Sequence, residues 1–146
     1  MRMTGALWSL VAAVGFLGLG REARAQESRP PKRWEVAMVE RGQYGLAFDP
    51  QRLTAQLGDT IRFIQRGGLP HNVRFRSMPD GVELAEAGES PMLTAPGAVW
   101  DLLLDRRFRP GKYFYVCVPH EVMGMAGILY VQGTVEDSSR AGDHGT

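Results

Sequence analysis

Arg52-Leu53-Thr54-Ala55-Gln56-Leu57-Gly58-Asp59-Thr60-Ile61-Arg62-Phe63-Ile64-Gln65 is two alternating apolar–polar runs divided by a Gly-Asp turn pair. In a strand, successive side chains point to opposite faces, so alternation with period two reads as a strand with one buried side. A third run, Asn72-Val73-Arg74-Phe75-Arg76, follows Gly67-Gly68 and places Val73 and Phe75 on one face and Arg74 and Arg76 on the other. Working outward, Trp34 to Glu40, Ala98 to Asp105, Lys112 to Val116 (after the turn at Pro110-Gly111) and Ala126 to Gln132 are rich in strand formers. Ser77 to Pro96 is less regular, with one helical turn expected over Val82 to Ala87. No helical period is sustained. Seven or eight short strands between turn signals predict an all-β antiparallel sandwich.

The ends read differently. The chain has 146 residues, enough for one domain at most. Arg2, the uncharged run Met3 to Gly20 and the small-x-small triplet Ala23-Arg24-Ala25 make residues 1–25 an expected signal peptide, cleaved between Ala25 and Gln26. The 18-residue run also sits at the lower edge for a membrane span, which leaves an uncleaved anchor as the alternative. Residues 26–33 read as a flexible lead-in, 34–132 as the folded domain and 133–146 as a polar tail in which His144 is solvated. Three of the 17 basic and one of the 16 acidic residues lie in 1–25, so the mature chain carries 14 and 15, a formal charge of −1. No basic run interleaved with aromatics is present, which argues against a nucleic-acid partner. The expected location is the periplasm or another exported compartment, with no stable membrane association once the signal is removed.

Cys117 is the only cysteine. A lone thiol in an exported chain is a pairing partner, a reactive group or a metal ligand. It lies in Cys117-Val118-Pro119-His120-Glu121-Val122-Met123-Gly124-Met125, and His71 lies 46 residues upstream in Pro70-His71-Asn72-Val73. One thiolate, two imidazoles and a thioether are the donors of a mononuclear copper site that passes electrons. Cys117 and His120 are three apart and His120 and Met125 five apart, so one loop can bring three donors around an ion while His71 closes the fourth side. The sandwich places all four at one end, where loops converge. Ligation also explains how an exported thiol persists. Zinc accepts Cys and His, but a structural zinc site wants four firm donors and Met is not one. Asn72, beside His71, is placed to hydrogen-bond across to the Cys117 segment.

With these motifs the chain resembles the plastocyanin and pseudoazurin group of cupredoxins from about Trp34 to Gln132. Gly45-Leu46-Ala47-Phe48-Asp49-Pro50, Gly58-Asp59, Pro70-His71-Asn72-Val73, Pro79-Asp80-Gly81-Val82, Pro110-Gly111-Lys112-Tyr113 and the Cys117 to Met125 loop carry the resemblance. It implies an eight-stranded Greek-key β-sandwich (cupredoxin-like) holding one type 1 copper per chain, with His71, Cys117, His120 and Met125 as ligands and Met125 rather than Met123 in the axial place. No second metal centre, acid–base pair or substrate pocket is visible in the sequence, so the expected role is a soluble, monomeric one-electron carrier rather than an enzyme. The copper would cycle Cu(I)/Cu(II) between redox proteins such as a c-type cytochrome, oxidase or reductase. The edge of His120, rimmed by Leu46, Pro70, Pro119 and Met123, would be the docking patch. Val116 stands where plant-type plastocyanins have Tyr, and arginines are spread over the sequence, so an acidic docking face is not expected. The alternatives are a copper delivery or storage protein and a sandwich with a vestigial site.

Overall fold

The computed structural model describes residues 29–42 and 45–133. Among these residues eight strands form two four-stranded sheets: β1 (Arg33–Arg41), β2 (Gly45–Asp49), β3 (Arg52–Gln56), β4 (Thr60–Gln65), β5 (Arg74–Ser77), β6 (Val99–Leu103), β7 (Gly111–Val116) and β8 (Ala126–Gln132). One sheet has the order β2-β1-β4-β6 and the other β3-β8-β7-β5. The expected all-β sandwich is present, with one correction. The sheets are mixed rather than wholly antiparallel, because β1 runs parallel to β4 and β3 parallel to β8. Chain crossovers between the two sheets return these strands in the same direction, and an alternating pattern is blind to direction.

Alternation sets which side chains meet between the sheets. In β4, Ile61, Phe63 and Gln65 face inward and are buried, while Thr60, Arg62 and Ile64 face out. Val36, Met38 and Phe48 line the same sheet's inner face, opposite Leu53, Ala55, Phe75, Tyr113, Tyr115, Leu129 and Val131 of the other. Val73 and Phe75 are buried and Arg74 and Arg76 exposed, as the alternation predicts. The helical turn expected over Val82 to Ala87 is a short 3-10 turn shifted to Ala85–Gly88. Part of the segment expected as a lead-in is tied down. Arg29, the Lys32 backbone N–H and the Trp34 indole all donate to the buried carboxylate of Asp59. The expected signal peptide and His144 lie outside the described residues.

Candidate metal centre

The β7–β8 connection is built to converge. β7 ends at Val116, and Cys117 caps a 3-10 segment, Val118–Met123, with Pro119 in its first turn. Proline suits that position because it needs no N–H donor there. Gly124 ends the segment at φ 83°, a left-handed conformation that favours glycine, and its N–H reaches the Glu121 carbonyl at 2.9 Å. The His120 N–H bonds the Cys117 carbonyl at 3.1 Å, the Met125 N–H bonds the His120 carbonyl at 3.2 Å, and the Cys117 N–H bonds the Met125 carbonyl at 3.1 Å. Three hydrogen bonds thus close Cys117, His120 and Met125 into one ring of backbone.

His71 arrives from the other side of the sandwich. Its backbone N–H and C=O pair with Leu93 at 3.1 and 2.8 Å. Val73 is fixed by Ser90, whose hydroxyl accepts the Val73 N–H at 2.9 Å. The irregular stretch between β5 and β6 therefore serves to pin the histidine. Asn72 joins the halves: its Oδ1 accepts the Val118 N–H at 2.8 Å.

The donor atoms meet. His71 Nδ1 and His120 Nδ1 lie 3.1 Å apart, and Cys117 Sγ lies 3.5 Å from the first and 3.3 Å from the second. Cys117, His71 and Met125 are buried, while His120 is partly exposed. Burial, then the neighbouring His120, push the His71 pKa below its ordinary value, with Glu40 opposing. His71 is therefore a neutral imidazole, the form that ligates a metal. Its Nε2 is buried without a hydrogen-bond partner among the described residues, so the ring is held by its surroundings rather than by a bond at its far edge. Burial pushes the Cys117 thiol up, while the Asn72 and His120 N–H groups favour the thiolate. A soft cation at this point would replace the thiol proton and take up the two Nδ1 atoms that meet here. This donor set fits copper: two imidazoles and a thiolate, with the thioether of the buried Met125 carried on the same closed loop.

Of the residues expected at a docking patch, Pro70 and Pro119 are exposed, Met123 is half exposed and Leu46 is half buried on β2, which packs against the 3-10 segment. The sequence reading missed Val122, which is 96% exposed, and Leu69 and Met92, each near half exposed. An apolar side chain left in water inside a loop is the signal that was available for them.

A thiol and two imidazoles meeting at one pole of a β-sandwich are a donor set that suits a mononuclear copper centre. Comparison with known proteins agrees. Residues 35–132 match the profile described as copper binding proteins, plastocyanin/azurin family. The chain belongs to that family. It is 33% identical over 125 residues to the chloroplastic plastocyanin of Hordeum vulgare, covering 84% of this chain and 73% of that one. It is 40% identical over 91 residues to the plastocyanin of Vicia faba, covering 60% and 89%. Among solved structures, a pseudoazurin from Methylobacterium extorquens AM1 superposes with TM-score 0.50 at 25% identity, covering 77% and 85%. At the level of the family, His71, Cys117, His120 and Met125 form a type 1 copper arrangement, and the protein is a copper electron carrier rather than an enzyme.

Proposed function

We propose that this chain is an exported, soluble carrier of single electrons between redox proteins such as a c-type cytochrome, an oxidase or a reductase. His71, Cys117, His120 and Met125 are the residues that would hold the copper. When bound, the metal supplies a one-electron Cu(I)/Cu(II) couple. The residues do the rest. The hydrogen-bonded loop from Cys117 to Met125 and the pinned His71 keep the donors in one arrangement through both oxidation states, so little has to move when an electron passes. His120 is the ligand that reaches the surface, so its edge is the exit. Leu46, Pro70, Pro119 and Met123, extended by Leu69 and Val122, make an apolar rim on which a partner docks briefly.

The observation that carries this reading is the meeting of two Nδ1 atoms and one Sγ within 3.1–3.5 Å. Burial of Cys117, His71 and Met125 favours a carrier over a delivery protein, which must expose its ligands to hand metal on. Export is supported by the apolar run Met3 to Gly20. The test is to load the protein with Cu(II), record its visible spectrum, and follow reversible one-electron reduction. An intense blue band that vanishes in Cys117→Ser is expected. A colourless copper complex, or a band that survives the substitution, would sink the reading.

A further inference from the structure

The loop that leads into His71 is held by two side chains outside the donor set. Gln65 is fully buried at the end of β4. Its Oε1 accepts the Gly67 N–H at 3.2 Å, and its amide donates to the Leu69 carbonyl. Glu40, near the end of β1, accepts two hydrogen bonds on one oxygen, from the Gly68 N–H at 2.7 Å and the Leu69 N–H at 2.8 Å. The Arg66 N–H bonds the Met38 carbonyl and the His71 N–H bonds Leu93. Every backbone N–H from Arg66 to His71 is therefore taken, Pro70 having none. A Cβ on Gly67 would overlap the Glu40 carboxylate, so glycine there makes room for the clamp. The Leu69 and Gly68 N–H groups hold the Glu40 carboxyl below the usual carboxylate range. Glu40 is thus ionised at neutral pH, and its charge acts at His71, two residues beyond the clamped Leu69.

We propose that Glu40 is a positioning residue of the copper centre: it locks the 67–70 turn so that His71 is presented in one place with or without metal, and its fixed negative charge favours the oxidised site. The proposal rests on the carrier reading above. The oxidised centre carries one more positive charge than the reduced one, so a nearby carboxylate stabilises it preferentially and makes the protein harder to reduce. Glu40 is exposed, so the effect is damped by solvent and weakens with salt.

Two substitutions separate the parts. Glu40→Gln keeps an acceptor oxygen and removes the charge, whereas Glu40→Ala removes both. In the metal-free protein, amide hydrogen exchange at Gly68 and Leu69 is expected to speed up about tenfold or more in Glu40→Ala. In the copper-loaded protein, titration against a one-electron mediator is expected to show the reduction equilibrium constant raised about threefold or more in both variants, less so at high salt. The mediator loses one electron for each that the site gains. Unchanged exchange in Glu40→Ala overturns the lock, and an unchanged reduction equilibrium in Glu40→Gln overturns the role of the charge. Failure of the unsubstituted protein to take up copper would defeat the carrier reading instead, and the exchange measurement would still decide the lock.

Discussion

Tyr115 carries a hydroxyl with nothing to bond. It sits in the core two residues before Cys117, its ring edge-on to Phe48 at 4.9 Å and to Phe63 at 5.4 Å between centroids. Its oxygen has no partner among the described residues, and burial pushes its pKa far up, so it stays protonated. Gly127, directly across on β8, leaves the space the ring occupies, since a Cβ there would overlap it. A buried polar group without a partner costs desolvation and returns nothing. Tyr115→Phe is therefore expected to leave stability unchanged or raise it by up to about 1 kcal/mol. Urea unfolding of the metal-free protein checks this, and a clear loss of stability would show that the hydroxyl has a partner. At the same scale, Cys117, His71, His120 and Met125 were legible in the sequence because residue type and spacing alone name a donor set. Glu40 and Gln65 were not. Glu40 meets Gly68 and Leu69 only because the β1–β4 register sets Met38 beside Gln65 and carries the strand on past it, a relation no local motif encodes.

Among the elements, the turn between β3 and β4 is held by one many-bonded carboxylate. The Asp59 carboxylate accepts from both terminal guanidinium nitrogens of Arg29, the Trp34 indole and the backbone N–H groups of Lys32 and Gln56. It staples the entry of β1 to the start of β4. Burial alone would raise the Asp59 pKa, but these donors outweigh it and hold the value below the ordinary one. Because the folded value lies below the unfolded one, the stabilisation is complete above about pH 4 and is lost as the pH falls through the folded value. Asp59→Ala is expected to cost about 2–3 kcal/mol at pH 7 and progressively less in acid, measured by denaturant titration at several pH values. A cost that does not change with pH would mean the charge is not what matters. The strands flanking this turn were readable because their alternation is unbroken. β2 was harder: Gly45–Asp49 holds three consecutive apolar residues, and it is pairing with β1 that makes it a strand. The parallel pairs were hidden for a different reason, since direction leaves no mark on the pattern.

On the scale of the whole molecule, the core lies between two sheets, and Cys117 and Met125 are the only donors within its hydrophobic cluster. The copper-free protein is expected to keep its β circular dichroism, while Cu(II) raises its melting temperature in proportion to the logarithm of free copper above the dissociation constant. Loss of β signal on chelation would show instead that the metal organises the fold. Docking belongs to this scale too. Val122→Lys places a charge in the apolar rim without touching a donor, so it is expected to slow electron exchange with a cytochrome about tenfold or more while leaving the visible spectrum unchanged. An unaltered rate would move the contact elsewhere. Among the described residues no helix is long and apolar enough to cross a membrane. β8 starts beside Met125 and runs seven residues to Gln132, whose carbonyl accepts the Leu57 N–H, and the Lys32 carbonyl accepts the Thr60 N–H nearby. The described chain therefore enters and leaves at the pole about 20 Å from the donors. A cable fastened near Lys32 or Gln132, such as a linker to an electrode, would hold the described domain with its donor pole facing outward, whereas one fastened near Pro70 or Met123 would cover that pole.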